Sequence, residues 1–165
     1  MTAESVARPT RLTAGWVGRA SQHRRHQVRS VAPGPAPRLN ELWASVIEVL
    51  DAVDGPSTAV LCTTDGASVA TFGLSRSEQL RAPDEARRLF DSHGQAAPEA
   101  APGTTIVSAE VTSGDHCAVV AKVPSPEHGD HLLLVKAEAV SPPLLHAWTL
   151  RAAEDLHEIL SGTTE

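Results

Sequence analysis

The chain predicts an α+β domain with the element order αββαβββα, and three observations carry that prediction. From Leu39 onward the apolar periodicity passes from helix to two strands, to a second helix, to three strands and to a last helix. Asp65-Gly66 and Ser113-Gly114-Asp115 each separate two strand-like runs, as hairpin turns do. The run His131 to Lys136 is apolar without alternation, which marks a central strand covered on both faces.

The first helix rests on Leu39, Leu42, Trp43, Val46, Ile47, Leu50 and Val53, which recur on one face while Glu41, Glu48 and Asp51 fall elsewhere. Asp54-Gly55-Pro56 is its predicted stop. Thr58 to Thr63 and Ala67 to Phe72 then pair antiparallel across Asp65-Gly66, because Asp-Gly accepts positive φ. Ser77 to Phe90 reads as a second helix with Leu80, Ala86, Leu89 and Phe90 facing inward and Arg87 and Arg88 suiting its C-terminal dipole. After a Pro/Ala loop from His93 to Gly103, Thr104 to Thr112 and His116 to Val123 form a second hairpin. The last helix starts at Ser141-Pro142-Pro143, lines Leu145, Trp148, Ala152, Leu156 and Ile159 on one side, and stops at Gly162. Trp43 and Trp148 read as core anchors rather than ligand-stacking groups, since helically spaced aromatics normally face the core.

Charge divides the chain in two. Residues 1–38 carry seven arginines against the single acid Glu4, whereas residues 39–165 carry seven basic and nineteen acidic residues, so the first segment is +6 and the second −12. The first segment has no helical or strand period and ends in the Pro-rich run 32–37, which predicts a disordered Arg/Pro-rich tail ahead of one domain over 39–165. Its Arg-rich, acid-poor make-up also resembles an organellar transit peptide, and residues 23–26 offer cations to nucleic acid or anionic lipid, but a solvated tail is the preferred reading. The acidic domain itself is not expected to bind nucleic acid. No apolar run approaches the roughly 20 residues that span a bilayer, and no secretory signal is present, so a cytoplasmic location is expected. Cys62 and Cys117 fall within predicted strands, far apart in sequence, and read as buried free thiols of a reducing compartment.

The chain carries no nucleophile elbow, phosphate-binding Gly-rich loop or paired CxxC, so catalytic residues are not expected and an enzyme is disfavoured. Ser57, Ser68, Ser108 and Ser113 lack the strained Gly-x-Ser-x-Gly setting, although sequence says nothing of groups that converge in space. Residues 127–131 place His128 and His131 beside two carboxylates, and His116 lies one hairpin away, so these three histidines are the candidate Zn²⁺ or Ni²⁺ ligands. A short turn cannot aim them all at one point, and no second spaced ligand pair accompanies them. A polar turn with no metal and no cofactor is the preferred reading.

The first helix leading into Thr58 to Ala70 through Asp65-Gly66, together with the central strand His131 to Lys136 before the closing helix, resembles the Roadblock/LC7 family over most of residues 39–161. The resemblance implies a five-stranded antiparallel sheet of order 2-1-5-4-3 in a profilin-like layering, with helices on both faces: the first and third on one, the second on the other. It also implies a non-catalytic regulator or scaffold that homodimerises edge to edge, in bacteria often beside a small Ras-like GTPase or a sensor kinase. The residues add their own support. Thr104 to Thr112 carries Ile106, Val107, Ala109 and Val111 with only Glu110 charged and neither Pro nor Lys, so it lacks the usual protection of an edge strand. Thr105, Val107, Ala109 and Val111 are therefore the expected interface positions. The competing reading is a small-molecule sensor of GAF or PAS type, which requires a cavity between the sheet and the second helix.

Overall fold

A computed structural model describes residues 37–93 and 106–161. The elements are α1 (Pro37–Asp51), β1 (Ser57–Thr63), β2 (Ser68–Phe72), α2 (Arg76–His93), β3 (Val107–Ser113), β4 (His116–Val123), β5 (His131–Glu138) and α3 (Pro142–Leu160). The expected order αββαβββα is the observed one. The Arg/Pro-rich tail lies outside the described residues apart from Pro37 and Arg38, which open α1; Thr105, most of the Pro/Ala loop and the expected stop at Gly162 lie outside them too.

The five strands pair antiparallel in the order β2-β1-β5-β4-β3, with the two hairpins at the flanks and β5 in the middle. All of His131 to Val135 is buried, as a strand covered on both faces requires. Alternation along the strands sorts their side chains into two cores. Ala59, Leu61, Val119, Ala121, Leu133 and Val135 meet α1 and α3 through Trp43, Val46, Leu50, Ala153 and Leu156. Val60, Cys62, Ala109, Val120, Leu132 and Leu134 meet α2 through Ala82 and Ala86. Helices therefore cover both faces, two on one side and one on the other. Trp43 is buried and Trp148 packs half-buried against the same core, which agrees with an anchoring role for both.

α2 differs most from its expected form. It is longer at both ends, and its start is a reciprocal cap: Ser75 N–H donates to Glu78 Oε2 at 2.7 Å while Glu78 N–H donates to Ser75 Oγ at 3.4 Å. Leu80, expected to face inward, is 80% exposed. The inward stripe runs through Gln79, Ala82, Pro83 and Ala86, and Leu80 sits about 100° around the helix from Gln79. Gln79 anchors its end of the stripe by donating from Nε2 to the Leu74 carbonyl at 3.1 Å. Small residues on this stripe let the helix lie close to the sheet.

α1 stops at Asp51, short of the expected Gly55, and Ser57 Oγ donates to the Leu50 carbonyl at 3.0 Å, satisfying one of the terminal acceptors. At the far end of the molecule the β4–β5 loop is tied to α3: Ser125 Oγ donates to the Leu160 carbonyl at 3.2 Å, and His157 Nδ1 lies 2.7 Å from the Pro124 carbonyl. Cys62 and Cys117 are free and buried, on opposite faces and with β5 between their strands, which rules out a disulfide.

Candidate functional site

The sheet has two outer strands, and they differ. β2 is five residues long and its pairing with β1 is interrupted by a register shift at Leu61/Cys62. β3 is seven residues long and in continuous register with β4. Gly114 and Asp115 form a two-residue turn with Gly114 at φ +61°. Residues flanking such a turn form a hydrogen-bonded pair, and such pairs alternate along a ladder. Val107, Ala109, Val111 and Ser113 therefore bond to β4, and the backbone N–H and C=O of Ser108, Glu110 and Thr112 point away from it. Beyond that edge lies no described strand.

Side chains of β3 divide in the same alternation. Val107, Ala109 and Val111 share the α2 side of the sheet: Ala109 is buried, Val111 half-buried and Val107 36% exposed. Of the four expected interface residues, these three thus lie on one face of the open edge, and Thr105 lies outside the described residues. On the opposite side Ser108, Glu110 and Thr112 face α3. There Ser108 Oγ lies 2.8 Å from His146 Nε2, and His146 Nδ1 lies 3.3 Å from Glu110 Oε2. The single Thr112 hydroxyl proton has two long contacts to choose between, Glu110 Oε1 at 3.5 Å and Cys117 Sγ at 3.8 Å. The spacing of Ser108 and Glu110 on one strand signalled a shared face, but the 38 residues to His146 hid the third member.

Between α2 and the sheet the described residues leave two grooves, of about 490 and 360 Å³. They share Leu74, Glu78, Glu85, Leu89 and Lys136, and Lys136 Nζ meets both Glu85 carboxylate oxygens at 2.9 Å across them. The second reaches Val111 and Ala118, so it runs toward the open edge.

The three candidate metal ligands do not converge. His116 pairs with Glu138 at one end of the β4–β5 ladder and its Nδ1 lies 3.0 Å from Glu138 Oε1, whereas His131 pairs with Val123 at the other end. Seven residues of strand separate them, about 23 Å. Among the described residues no three His, Cys, Asp or Glu side chains are placed to hold a metal. His131 is only 5% exposed and its Nδ1 has no hydrogen-bond partner among the described residues; burial pushes its pKa below the usual imidazole value. Beside it, Asp130 accepts from Lys122 Nζ at 2.8 Å and from the Ser125 N–H, and the Lys122 contact holds its carboxyl below the ordinary range.

This arrangement of sheet and helices has solved counterparts. The Roadblock/LC7 domain from Streptomyces avermitilis superposes with a TM-score of 0.51 at 17% identity, covering 66% of this chain and 88% of that one. The chain has a Roadblock/LC7-like fold. A structure of MglB with a tetrameric arrangement matches at TM-score 0.52 and 13% identity over 81% of this chain and 96% of its own. The gliding protein MglB from Thermus thermophilus matches at 0.51 and 14% over 81% and 98%. No family model matches the sequence, and no curated protein matches it either. At these identities the Roadblock/LC7-like likeness concerns the fold, and the β3 edge described above occupies the outer position that this topology leaves open.

Among the described residues no helix is long and apolar enough to cross a membrane.

Proposed function

We propose that the chain is a regulatory scaffold that dimerises through the β3 edge and binds a small Ras-like GTPase or a signalling partner such as a sensor kinase. The observation that carries this reading is the edge itself: a seven-residue strand in unbroken register, free of Pro and Lys, with Val107 and Val111 on its α2 side and its outward backbone groups available to another strand. The Roadblock/LC7-like fold supports it, since that family supplies regulators of this kind, and one similar structure is an MglB in a tetrameric arrangement. Leu80, exposed on α2 on the same side of the sheet, adds apolar surface for a partner. The −12 charge of residues 39–165 favours a basic partner surface and makes the association sensitive to ionic strength. Contacts of this kind act by shape and charge rather than by covalent chemistry.

A sensor of GAF or PAS type needs a capped pocket; the grooves beside α2 are open and are crossed by the Lys136–Glu85 ion pair, which supports the scaffold reading over it. The test is affinity capture of the tagged full chain from its native host with identification of the co-purifying proteins. Recovery of a small GTPase or sensor kinase that is lost on Val107→Lys supports the proposal. Recovery of the bait alone contradicts it.

A further inference from the structure

The Ser108, His146 and Glu110 side chains form a connected set whose order and atoms are those of a nucleophile, its base and the group that orients the base. Ser108 Oγ reaches His146 Nε2 at 2.8 Å, and Glu110 Oε2 reaches the other ring nitrogen at 3.3 Å. A carboxylate beside Nδ1 favours the tautomer with its proton there, which leaves Nε2 free to accept the serine proton. Two elements hold the three parts. Ser108 and Glu110 stand two residues apart on one face of β3, and His146 projects from α3, whose neighbouring residues Leu145 and Thr149 are buried. The set is reachable from solvent: Ser108 is half-buried, and the His146 and Glu110 side chains are 35% and 31% exposed. The backbone N–H of Ser108, which points away from β4, is a donor within the same residue for a developing oxyanion.

We propose that Ser108 is an activated serine that accepts an acyl group from an activated carboxylic ester. Ser108 Oγ attacks the carbonyl carbon as its proton passes to His146 Nε2. The ester C–O bond breaks, the leaving alcohol departs with that proton, and the acyl group remains on Ser108. Water, losing a proton to His146 Nε2, then attacks the acyl carbon; the C–Oγ bond breaks, Ser108 Oγ takes that proton back from the imidazolium, and the free acid leaves. Glu110 is a positioning residue in this step: it keeps the ring tautomer and supports the imidazolium.

All three residues belong to one copy and their side chains leave the plane in which a second strand would pair, so the set forms whether or not the chain dimerises; only the Ser108 N–H is shared with the scaffold reading. Pairing of that edge would consume the Ser108 N–H, so acylation is expected to be at least as fast in a chain that cannot dimerise.

The experiment uses the full chain with p-nitrophenyl acetate, following p-nitrophenolate release and locating the acetyl group by peptide mass spectrometry. The expected result is an adduct on Ser108 that Ser108→Ala abolishes. His146→Gln should slow its formation by about tenfold to a hundredfold, at or below the low end of general-base contributions because the site is partly solvated. Glu110→Gln should slow it as well, and Val107→Lys should retain it. Thermal melting of each variant separates lost chemistry from lost fold. An acetyl group found only on other residues, or acylation of Ser108 at an unchanged rate in a folded His146→Gln variant, would overturn the proposal: the three groups would then serve only to pin β3 to α3.

Discussion

At the scale of single residues, His131 carries the clearest cost. Its ring is buried at the start of β5 with Nδ1 unpartnered, so the folded state favours the neutral form and the pKa falls below 6.5. The unfolded chain then binds a proton more readily than the folded one, so stability is full above about pH 6.5 and declines as pH drops through the window below it. Denaturant titrations at pH 7.5 and 5.5 should show this loss, and His131→Phe should reduce it. Asp130, whose carboxyl is lowered chiefly by Lys122, loses its contribution only as pH falls further, below 3.8, so the two effects occupy different ranges. The thiols make a second residue-scale case. Burial pushes Cys62 up to about 11 and raises Cys117 as well, so neither should react with Ellman's reagent at pH 8 in the native protein, and both should react once it is unfolded. A native thiol reacting at the rate of a free one would contradict the packing around β1 or β4.

At the scale of elements, close approach decides which turns tolerate change. Gly73 follows β2 at φ +70°, and a Cβ there would come 2.3 Å from the Ser57 carbonyl oxygen, whereas one at Gly114, φ +61°, would meet nothing within 4 Å. Both positions are strained for other residues, but only the first also forces the β1 backbone to move. Gly73→Ala should destabilise by more than the roughly 1–3 kcal/mol expected for φ alone, and Gly114→Ala should stay within it, as measured by denaturant unfolding. Leu156 seals the larger core between α3 and the sheet, so Leu156→Ala should cost about 2–5 kcal/mol by the same measurement. The sequence made such elements legible where one physical signal dominated. The apolar stripe of α1, the Asp-Gly turn and the unalternating run of β5 each specified type and place to within a few residues. The second half of α2 was legible, since Ala86, Leu89 and Phe90 pack inward as expected, but its first half was harder to read because Ala82 and Pro83 leave almost no hydrophobic period there and Leu80 supplied a false one. Its cap at Ser75 and Glu78 was the local signal that fixes the true start. The Ser108–His146–Glu110 set was illegible for a different reason: it depends on which helix face meets which strand face, a fact of packing that periodicity does not encode.

Over the whole sheet, helices cover both faces, and among the described residues no strand pairs with the outer side of β3. A strand with available backbone groups on one side and valines beside them gives a directional and an apolar reason for a second chain to add there. Association with a basic partner should weaken as salt rises from 50 to 500 mM, because charges of an acidic domain act over about a Debye length, near 10 Å at 0.1 M. Self-association through β3 should respond less, since backbone pairing and valine burial dominate it. Sedimentation equilibrium of the full chain beside Val107→Lys and Val111→Lys at matched concentrations decides whether β3 is the seam between two copies. The parent chain should be a dimer and both variants folded monomers. A parent chain that is monomeric throughout, or a dimer that both lysines leave intact, would rule out that seam.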